Sequence, residues 1–336
     1  MESNNRKLLV RTVKIIGFFA IVGIFYFTLR GQDWSALRSI NRQSLVLASV
    51  LIVLAHLLSG LQYYVSLRIM GCKLAPSDVF FFPYMQSLWG VIIPLQGASL
   101  FAVFYLKKRY SFHMTQSVAM ILFLYLFNVV FGGLAGVTYS FCAENFSATL
   151  FAFSLVGVFF PLFLYGVNLL LLKHSTALPL PEHIREIIVS FFKSFDILLA
   201  NVRKIVILLF FQIVRQICWG AAFVILARRL EPDVSFLWGY LVVVSQEISL
   251  ILKFTPGNLG MSEAVSAFVS HLAGTPAAIG LIVAAIGNLL SLTQVLVFGG
   301  IGNFMALKNA GGIKGFWTRA MHTAPPDGGD SETDPE

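Results

Sequence analysis

The amino-acid sequence predicts an all-α polytopic membrane protein with about six full transmembrane helices and two re-entrant, broken helical hairpins. The first observation behind this prediction is composition. Hydrophobic residues make up 57% of the 336 residues and charged residues only 12%, against roughly 25% charged residues in soluble proteins. The second is a mean hydropathy of +0.80. The third is that the apolar residues fall into about eight separate segments, judged by the length of a membrane crossing.

Most of these segments are uninterrupted, and each is long enough for a helix that crosses the bilayer, which takes about 20 apolar residues. The first segment lacks a small-residue cleavage site, so we interpret it as a retained span rather than a signal peptide. The predicted spans run approximately over Val13–Leu29, Ser44–Met70, Met114–Ser140, Ala148–Leu172, Ile205–Ala227 and Ala277–Leu307.

The two remaining segments are interrupted by proline and glycine. They run over Val79–Leu106 and Val234–Leu272, and the pieces beside each break are too short to cross a hydrophobic core of about 30 Å. A helical hairpin that enters and leaves on one side of the membrane fits such a pair of pieces better. The breaks contain Pro94 and Gly97 in the first segment, and Pro256, Gly257 and Gly260 in the second.

Broken backbone at membrane depth is tolerated only where it faces protein or a water-filled cavity. Two breaks in corresponding positions of two halves are typical of a transport pathway. The surrounding sequence also repeats, because a Gln precedes each break, at Gln86 and Gln246, and a Phe-Gly-Gly triplet follows each, at Phe131 and Phe298. We interpret this pattern as an inverted repeat. In a second interpretation, the glycines of the triplets only allow close helix packing.

The orientation is predicted from Lys and Arg residues near the membrane, which are enriched on the cytoplasmic side. The N-terminal segment, Lys107–Arg109, the linker 173–204 and the residues after the last span are basic, whereas the loop around Glu144 has no basic residue. These positions agree only if the first hairpin enters from the cytoplasm and the second from the opposite face, as inverted repeats produce. The arginines between 30 and 42 oppose this assignment, because they would lie outside.

The resulting plan has a cytoplasmic segment over 1–12, a membrane domain over 13–308 and a cytoplasmic, partly disordered tail over 309–336. Within the membrane domain, residues 182–204 predict an amphipathic helix, because apolar residues recur there at helical spacing opposite charged ones. Such a helix lies in the cytoplasmic interface, either as an anchor or as a hinge between the two halves. We expect a multi-pass protein of the cell (inner) membrane with both termini in the cytoplasm.

The two breaks resemble the motifs of a known family. Residues 93–97, Ile-Pro-Leu-Gln-Gly, and residues 254–263, Phe-Thr-Pro-Gly-Asn-Leu-Gly-Met-Ser-Glu, are similar to the paired motifs of the lysylphosphatidylglycerol synthase transmembrane, flippase-like family. The resemblance extends approximately over Ile15–Lys308. Family members usually carry an acid after the first glycine and an arginine shortly after it, where this chain has Ala98 and Phe101.

The resemblance implies a lipid-translocating membrane domain. The best-known members of the family act on aminoacylated phosphatidylglycerol, and stand-alone members are expected to act on other lipids or lipid-linked sugars. In two-domain members a soluble aminoacyl-transfer domain follows the membrane part, whereas this chain ends at Glu336. We therefore expect a stand-alone member that does not itself synthesise an aminoacyl lipid.

The residues permit an independent argument. A lipid headgroup cannot cross hydrocarbon without polar contacts, so a translocator needs ionisable or amide side chains at depth, where each charge costs at least about 2.5–3.5 kcal/mol. Arg215 is central, because a guanidinium donates two parallel hydrogen bonds, either to a phosphate or to Glu247. The alternative is a buried ion pair that only joins two helices. The predicted cavity residues are Arg215, Gln216, Glu247, Lys253, Thr255, Asn258, Glu263, Gln86 and Gln96.

Polar residues in the middle of other spans receive a structural interpretation. His56 could relay protons, but we interpret it as an interhelical hydrogen-bond partner. Asn128 and Asn288 are interpreted in the same way rather than as ligand contacts. The three cysteines match no metal-binding spacing and are interpreted as reduced packing residues.

Two classes of function remain open. The first is non-enzymatic translocation of a phospholipid or lipid-linked headgroup, and the alternative is a membrane-embedded transferase or an accessory subunit in lipid or glycoconjugate modification. A transferase should show paired acids or a His and acid cluster that holds a metal, and the sequence offers neither. We therefore predict no catalytic residue, no metal and no cofactor. The expected partners are a membrane phospholipid or lipid-linked substrate and a synthase or transferase, without nucleic acid.

Overall fold

The computed structural model describes residues 40–93, 97–142, 148–173, 182–249 and 258–309, and the regular structure in those ranges is entirely helical. This confirms the predicted all-α class for the described part of the chain. The predicted first span, Val13–Leu29, lies outside the described residues, as does most of the predicted tail. The helices are α1 (Arg42–Ile69), α2 (Pro76–Ile92), α3 (Gly97–Tyr110), α4 (Met114–Cys142), α5 (Ala148–Lys173), α6 (Glu182–Ala200), α7 (Val202–Ala227), α8 (Phe236–Ser249), α9 (Met261–Leu272), α10 (Ala277–Gln294) and α11 (Gly300–Asn309).

Four helical stretches are long and apolar enough to cross a membrane. They are α1, α4, α7 and the continuous stretch Ala277–Ala306, in which a turn of π-helix over Val295–Gly299 joins α10 to α11. Each coincides with a span that the sequence predicts. The predicted span Ala148–Leu172 corresponds to α5, a helix of 26 residues.

Helices α2 and α3 form hairpin 1. They have 17 and 14 residues, so at 1.5 Å per residue they are about 25 and 21 Å long, shorter than a hydrophobic core of roughly 30 Å. Near the start of α2, Asp78 accepts a charged hydrogen bond from Arg109 Nε at the end of α3, at 2.7 Å. Gly90 and Ala98 meet at the other end of the two helices. The arms are therefore antiparallel, with the base at Asp78 and the tip at Gly90.

The base of hairpin 1 is fastened by one buried carboxylate. The side chain of Asp78, a residue only 4% exposed, also accepts from the hydroxyls of Tyr105 at 2.9 Å and Tyr110 at 2.5 Å. The Tyr110 hydroxyl accepts in turn from the Ala75 amide at 2.9 Å. Since three side chains of the returning arm bind the first turn of the entering arm, the two ends of the hairpin stay together.

Helices α8 and α9 form hairpin 2 in the same manner. They have 14 and 12 residues, about 21 and 18 Å, and are likewise too short to cross a hydrophobic core. Trp238 of α8 and Val269 of α9 share one apolar core near the base, and Gln246 Nε2 donates to Ser266 Oγ at 2.8 Å nearer the tip. Gly260 precedes α9 with a φ of 85°, a left-handed conformation that favours glycine.

The bases of the two hairpins lie at opposite ends of the bundle. Helices α1 and α7 lead into hairpins 1 and 2, and they pack side by side. Arg229, just after α7, donates from Nε to Ser44 Oγ at the start of α1, at 3.0 Å, and Gln62 meets Gln212 near the middle. The two helices are therefore antiparallel, so the hairpins that follow them start from opposite ends. This is the geometry that an inverted repeat requires.

The first half of the protein, α1–α5, and the second half, α7–α11, also exchange packing partners. Helix α4 follows hairpin 1 but packs against α8 of hairpin 2, and the end of the last span follows hairpin 2 but packs against α2 of hairpin 1. At the second contact, a Cβ on Gly299 would lie 2.7 Å from the Tyr84 carbonyl oxygen, and one on Gly302 would lie 2.9 Å from Phe81 Cβ. The close-packing interpretation of the second Phe-Gly-Gly triplet is thus confirmed at Gly299.

The linker helix is shorter than the sequence predicts. The predicted helix ran over 182–204, whereas α6 ends at Ala200. The physical reason is Asn201, whose side chain accepts from the Lys204 amide at 3.1 Å and thereby caps the start of α7. Phe195 and Leu198 of α6 are buried in the core that surrounds hairpin 1, so α6 lies at the end of the bundle that holds the base of that hairpin.

Basic residues gather at the same end. The basic residues on the side of the hairpin 1 base, most of them in the first or last turn of a helix, are Arg68, Lys73, Lys107, Lys108, Arg109, Lys193, Arg203, Lys204 and Lys308. Among the described residues at the opposite end, the basic ones are Arg42, Arg228 and Arg229. The charge asymmetry that the sequence predicts between the two membrane faces therefore corresponds to a real asymmetry between the two ends of the bundle.

Candidate functional site

The tips of both hairpins meet at one cavity in the centre of the bundle. Its volume is about 270 Å³. Gly90 and Ala98 line it from the tip of hairpin 1, and Asn258 and Leu259 line it from the tip of hairpin 2. Residues beside the two breaks, Ala98 and Asn258, are thus separated by 160 residues of chain and line the same space.

Polar and aromatic side chains make up much of the cavity wall. The amides are the most numerous polar group, followed by the hydroxyls of serine. Aromatic rings complete the lining. The amides are Gln62, Gln86, Asn128, Gln212, Gln246, Asn258 and Asn288, the serines are Ser59, Ser87, Ser262 and Ser291, and the rings are those of His56, Tyr63, Tyr125 and Trp219.

An ion pair lies in the wall of the cavity. Arg215 Nη1 of α7 donates to Glu247 Oε1 of α8 at 2.8 Å, and the two side chains are only 10% and 11% exposed. The second terminal nitrogen, Nη2, donates to Asn128 Oδ1 at 2.9 Å and to Gln212 Oε1 at 3.2 Å. Both terminal nitrogens of the guanidinium are therefore engaged by protein acceptors.

Amide side chains extend this pair into a network. Asn128 Nδ2 donates to the other carboxylate oxygen of Glu247 at 3.0 Å, and Gln212 Nε2 donates to Asn128 Oδ1. Gln62 Nε2 donates to Gln212 Oε1 at 2.7 Å. The network joins α1 and α4 of the first half to α7 and α8 of the second. Because every bond from α1 or α4 ends on α7 or α8, the network holds the two halves together.

The sequence explains why this network is stable in apolar surroundings. Gln212 and Arg215 lie three residues apart on α7, so they occupy the same helix face. A lone guanidinium at membrane depth would be costly, but Glu247 supplies the opposite charge, and the amides bond the second terminal nitrogen of Arg215 and the second oxygen of Glu247. Within this pair, only the buried Arg215 Nε has no partner among the described residues. A buried ion pair is tolerated when such additional hydrogen bonds complete it.

A second carboxylate lies directly behind the cavity wall. Glu263 is 2% exposed, and its Oε2 accepts from the Gly260 amide at 2.6 Å and the Ser262 hydroxyl at 3.0 Å. Its Oε1 accepts from Asn288 Nδ2 at 2.7 Å. The Glu263 carboxylate caps the first turn of α9 by accepting from the Gly260 amide, at a helix start where the dipole favours negative charge. Glu263 therefore braces Ser262 and Asn288, which do face the cavity.

His56 joins α1 to α10 at the cavity. Its Nε2 lies 3.3 Å from Ser291 Oγ, and its ring centroid lies 4.5 Å from that of Tyr84 and 6.0 Å from that of Trp219. The interpretation of His56 as an interhelical hydrogen-bond partner is confirmed.

Of the residues that the sequence predicts for the site, the structure places four in the cavity wall, namely Arg215, Glu247, Asn258 and Gln86. Gln216 is fully buried on α7 and lies off the cavity, and its amide atoms have no hydrogen-bond partner among the described residues. Glu263 lies behind the wall. Outside the described residues are Lys253, Thr255, Gln96, Pro94, Pro256 and Gly257.

Sequence reasoning missed two members of the network and misjudged a third. Gln62 and Gln212 were not among the predicted site residues, and Asn128 was interpreted only as an interhelical partner, whereas it has that role and also lines the cavity. The signal that would find all of them is an amide in the middle of a long apolar span. Such amides seek polar partners because water is absent there.

The described residues contain no group of three or more His, Cys, Asp or Glu side chains that could hold a metal ion. All three cysteines are free thiols, with Cys72 and Cys218 buried and Cys142 exposed. Cys72 lies in the turn after α1, and burial raises the pKa of its thiol.

A family model described as lysylphosphatidylglycerol synthase TM region matches residues 14–299 of the chain. The match includes both hairpins, the spans between them and every residue of the cavity wall. Searches of curated proteins and of solved structures found no match.

Proposed function

This chain belongs to the lysylphosphatidylglycerol synthase transmembrane family, and we propose that it is a translocator that moves a phospholipid or lipid-linked headgroup across the bilayer. The family places the chain among membrane proteins of lipid modification or translocation. The finer proposal, translocation, is supported by one observation above the rest. Two hairpins that start from opposite ends of the bundle end at one shared polar cavity.

That arrangement supplies what headgroup transport requires. Arms of about 18 to 25 Å do not cross the hydrocarbon, so the hairpin tips lie at depth and present helix ends there. Helix ends carry partial charges from unpaired N–H and C=O groups, and substrate sites of transporters lie near the midplane between such broken helices. In this mechanism the headgroup occupies the cavity while the acyl chains stay in lipid.

The proposed orientation places the base of hairpin 1 in the cytoplasm. The concentration of Lys and Arg at that end of the bundle supports it. Hairpin 2 then enters from the opposite face. In this orientation both termini are cytoplasmic and the protein resides in the cell membrane, as the sequence predicts.

The proposal is tested by filling the cavity. Ser291 of α10 lines the cavity, whereas Thr293, two residues further along the same helix, is exposed outside it. Ser291→Trp should block translocation of chain-labelled lipids in reconstituted vesicles, measured by dithionite quenching of the lipids in the outer leaflet. Thr293→Trp adds the same ring to the outer surface and should leave the rate unchanged. Equal rates in both variants would show that lipids do not pass through this cavity.

A second candidate function follows from the family description, which names the membrane region of a synthase. The chain would then be an accessory subunit that supports a partner synthase or transferase in lipid modification. In that case, purified protein in vesicles would translocate no lipid at all, and the protein would copurify with the enzyme.

A further inference from the structure

We propose, building on the translocation function proposed above, that the headgroup taken up by the cavity is uncharged and rich in hydroxyl groups, as in a glycosyl diacylglycerol. The inference follows from the charge balance of the cavity, the chemistry of its wall and its size.

The charges on the described residues of the cavity wall cancel. Arg215 and Glu247 are the only Lys, Arg, Asp or Glu side chains among the described residues of the wall, and they are bonded to each other at 2.8 Å. The terminal nitrogens of Arg215 and both oxygens of Glu247 already have protein partners. A charged headgroup would therefore find no unengaged counter-charge on the part of the wall that the structure describes, and an uncompensated charge at depth is strongly unfavourable.

The carboxylate behind the wall does not change this balance. Glu263 accepts three hydrogen bonds, from the Gly260 amide, the Ser262 hydroxyl and the Asn288 amide. It also lies at the start of α9, where the helix dipole offsets its negative charge. Because Glu263 is 2% exposed, a headgroup cation in the cavity cannot form a direct ion pair with it.

The groups that do face the cavity suit hydroxyls. An amide side chain both donates and accepts hydrogen bonds, and so does a hydroxyl. Amides from both halves line the cavity, for example Gln86 and Asn128 from the first and Gln246 and Asn258 from the second. The ring of Trp219 adds an apolar surface with a polar edge, which a ring-shaped polyol can pack against. Amides and an aromatic ring around one space are suited to a sugar ring.

The size of the cavity restricts the occupant to a headgroup. The cavity volume of about 270 Å³ is slightly below the range of about 300–1,000 Å³ that is typical of small-molecule sites. Two acyl chains do not fit in this volume, so the lipid would enter by its headgroup only.

The test compares lipids that differ in headgroup charge and share one labelled acyl chain. Purified protein is reconstituted into phosphatidylcholine vesicles with glucosyl diacylglycerol, anionic phosphatidylglycerol or cationic lysylphosphatidylglycerol. Translocation is again followed by dithionite quenching. We expect the glucosyl lipid to move at least about tenfold faster than either charged lipid, since an uncompensated charge at depth costs more than the free energy of a tenfold change.

A variant with one added charge sharpens the comparison. Gln86→Glu is nearly isosteric and places an unpaired carboxylate in the wall, so it should slow the glucosyl lipid and favour the cationic one. The matched control is Gln116→Glu, which adds the same charge on the first turn of α4, outside the cavity wall, and should keep the wild-type order of rates. If Gln86→Glu fails to fold, the wild-type comparison alone decides.

The outcomes separate this inference from the function on which it rests. Preference of the wild type for the glucosyl lipid, reversed or weakened by Gln86→Glu, supports both. Movement of either charged lipid at least as fast as the glucosyl lipid overturns the inference and leaves translocation standing. Movement of none of the three lipids overturns the proposed function and this inference together.

Discussion

Arg215 of α7 and Glu247 of α8 form an ion pair at 2.8 Å, and each side chain is exposed by only about one tenth of its surface. The sequence left open whether Arg215 binds a phosphate or pairs with Glu247. The structure shows the ion pair with Glu247. Since both residues also line the cavity, the pair joins two helices and also lies beside any occupant of the cavity.

The first prediction concerns this pair. Arg215→Leu strands the Glu247 carboxylate in a buried position, so we expect a loss of about 3–5 kcal/mol in the free energy of unfolding. Adding Glu247→Leu removes the stranded charge and should recover most of that loss. Unfolding of the single and double variants in detergent measures both effects. A double variant that is less stable than Arg215→Leu would show that the two residues do not act as a pair.

The second prediction ranks two amides of the network. Gln62→Leu removes one hydrogen bond, and Gln212 Oε1 still accepts from Arg215, so the expected loss is about 0.5–1.5 kcal/mol. Gln212→Leu removes partners from Gln62, Asn128 and Arg215 together and should cost clearly more. Thermal unfolding of the two variants compares these two losses of stability. A larger loss in Gln62→Leu than in Gln212→Leu would contradict the prediction.

The third prediction concerns the base of hairpin 1. Asp78→Ala leaves Tyr105, Tyr110 and Arg109 without their shared acceptor, so we expect a loss of at least about 2 kcal/mol. Arg109→Ala should cost only about 1 kcal/mol, because the Arg109 side chain is 29% exposed and Asp78 keeps both tyrosine hydroxyls. Comparison of the two unfolding curves is the measurement. Equal losses would mean that the ion pair, rather than the tyrosines, fastens the base.

The fourth prediction concerns Gly260. Its φ of 85° is strained for any residue with a Cβ, so Gly260→Ala should destabilise the protein by about 1–2 kcal/mol. The matched control is Gly166→Ala in α5, where an added Cβ meets no atom of the described residues within 4 Å and alanine favours the helix by up to about 1 kcal/mol. Opposite signs of the two shifts in unfolding temperature are expected. A neutral Gly260→Ala would contradict the observed turn.

The fifth prediction uses the native cysteines. Cys142 is exposed, whereas Cys72 and Cys218 are buried, and the raised pKa of the Cys72 thiol leaves less of the reactive thiolate at neutral pH. Intact mass after maleimide treatment should show modification of Cys142 alone until the protein is unfolded.

In sealed cells an impermeant maleimide should reach Cys142 from outside but miss a cysteine introduced at Lys108. External labelling at position 108 would contradict the orientation of hairpin 1.

The helices and the two breaks could be predicted because their signals are local. Long apolar runs identify α1, α4 and α7, and the Pro-Gly interruptions identify both hairpins. The opposite entry of the two hairpins was predicted only indirectly, from the count of basic residues on each side, and the packing of α1 against α7 was not predicted. Apolar spans share nearly the same composition on every face, so the pattern does not tell which faces meet.

The network shows the same limit at the level of single residues. Arg215 and Glu247 stand out because charges are rare in a span, but Gln62 and Gln212 resemble other amides that serve only to join helices. Their role depends on a contact between residues 150 positions apart, which no local pattern contains. The end of α6 could have been predicted from a local signal, since Asn201 is a preferred N-cap residue and precedes the apolar run of α7.

The exchange of packing partners between the halves bears on how the protein is made. Hairpin 1 is synthesised early, yet the surface of α2 is covered by the last span, which leaves the ribosome nearly 200 residues later (roughly 10–40 s at 5–20 residues per second). During that interval hairpin 1 has arms too short to cross the membrane and lacks its final neighbour. Biogenesis of this fold is therefore completed only when the C-terminal helix arrives, and the nascent first half must remain in the membrane in an unfinished form until then.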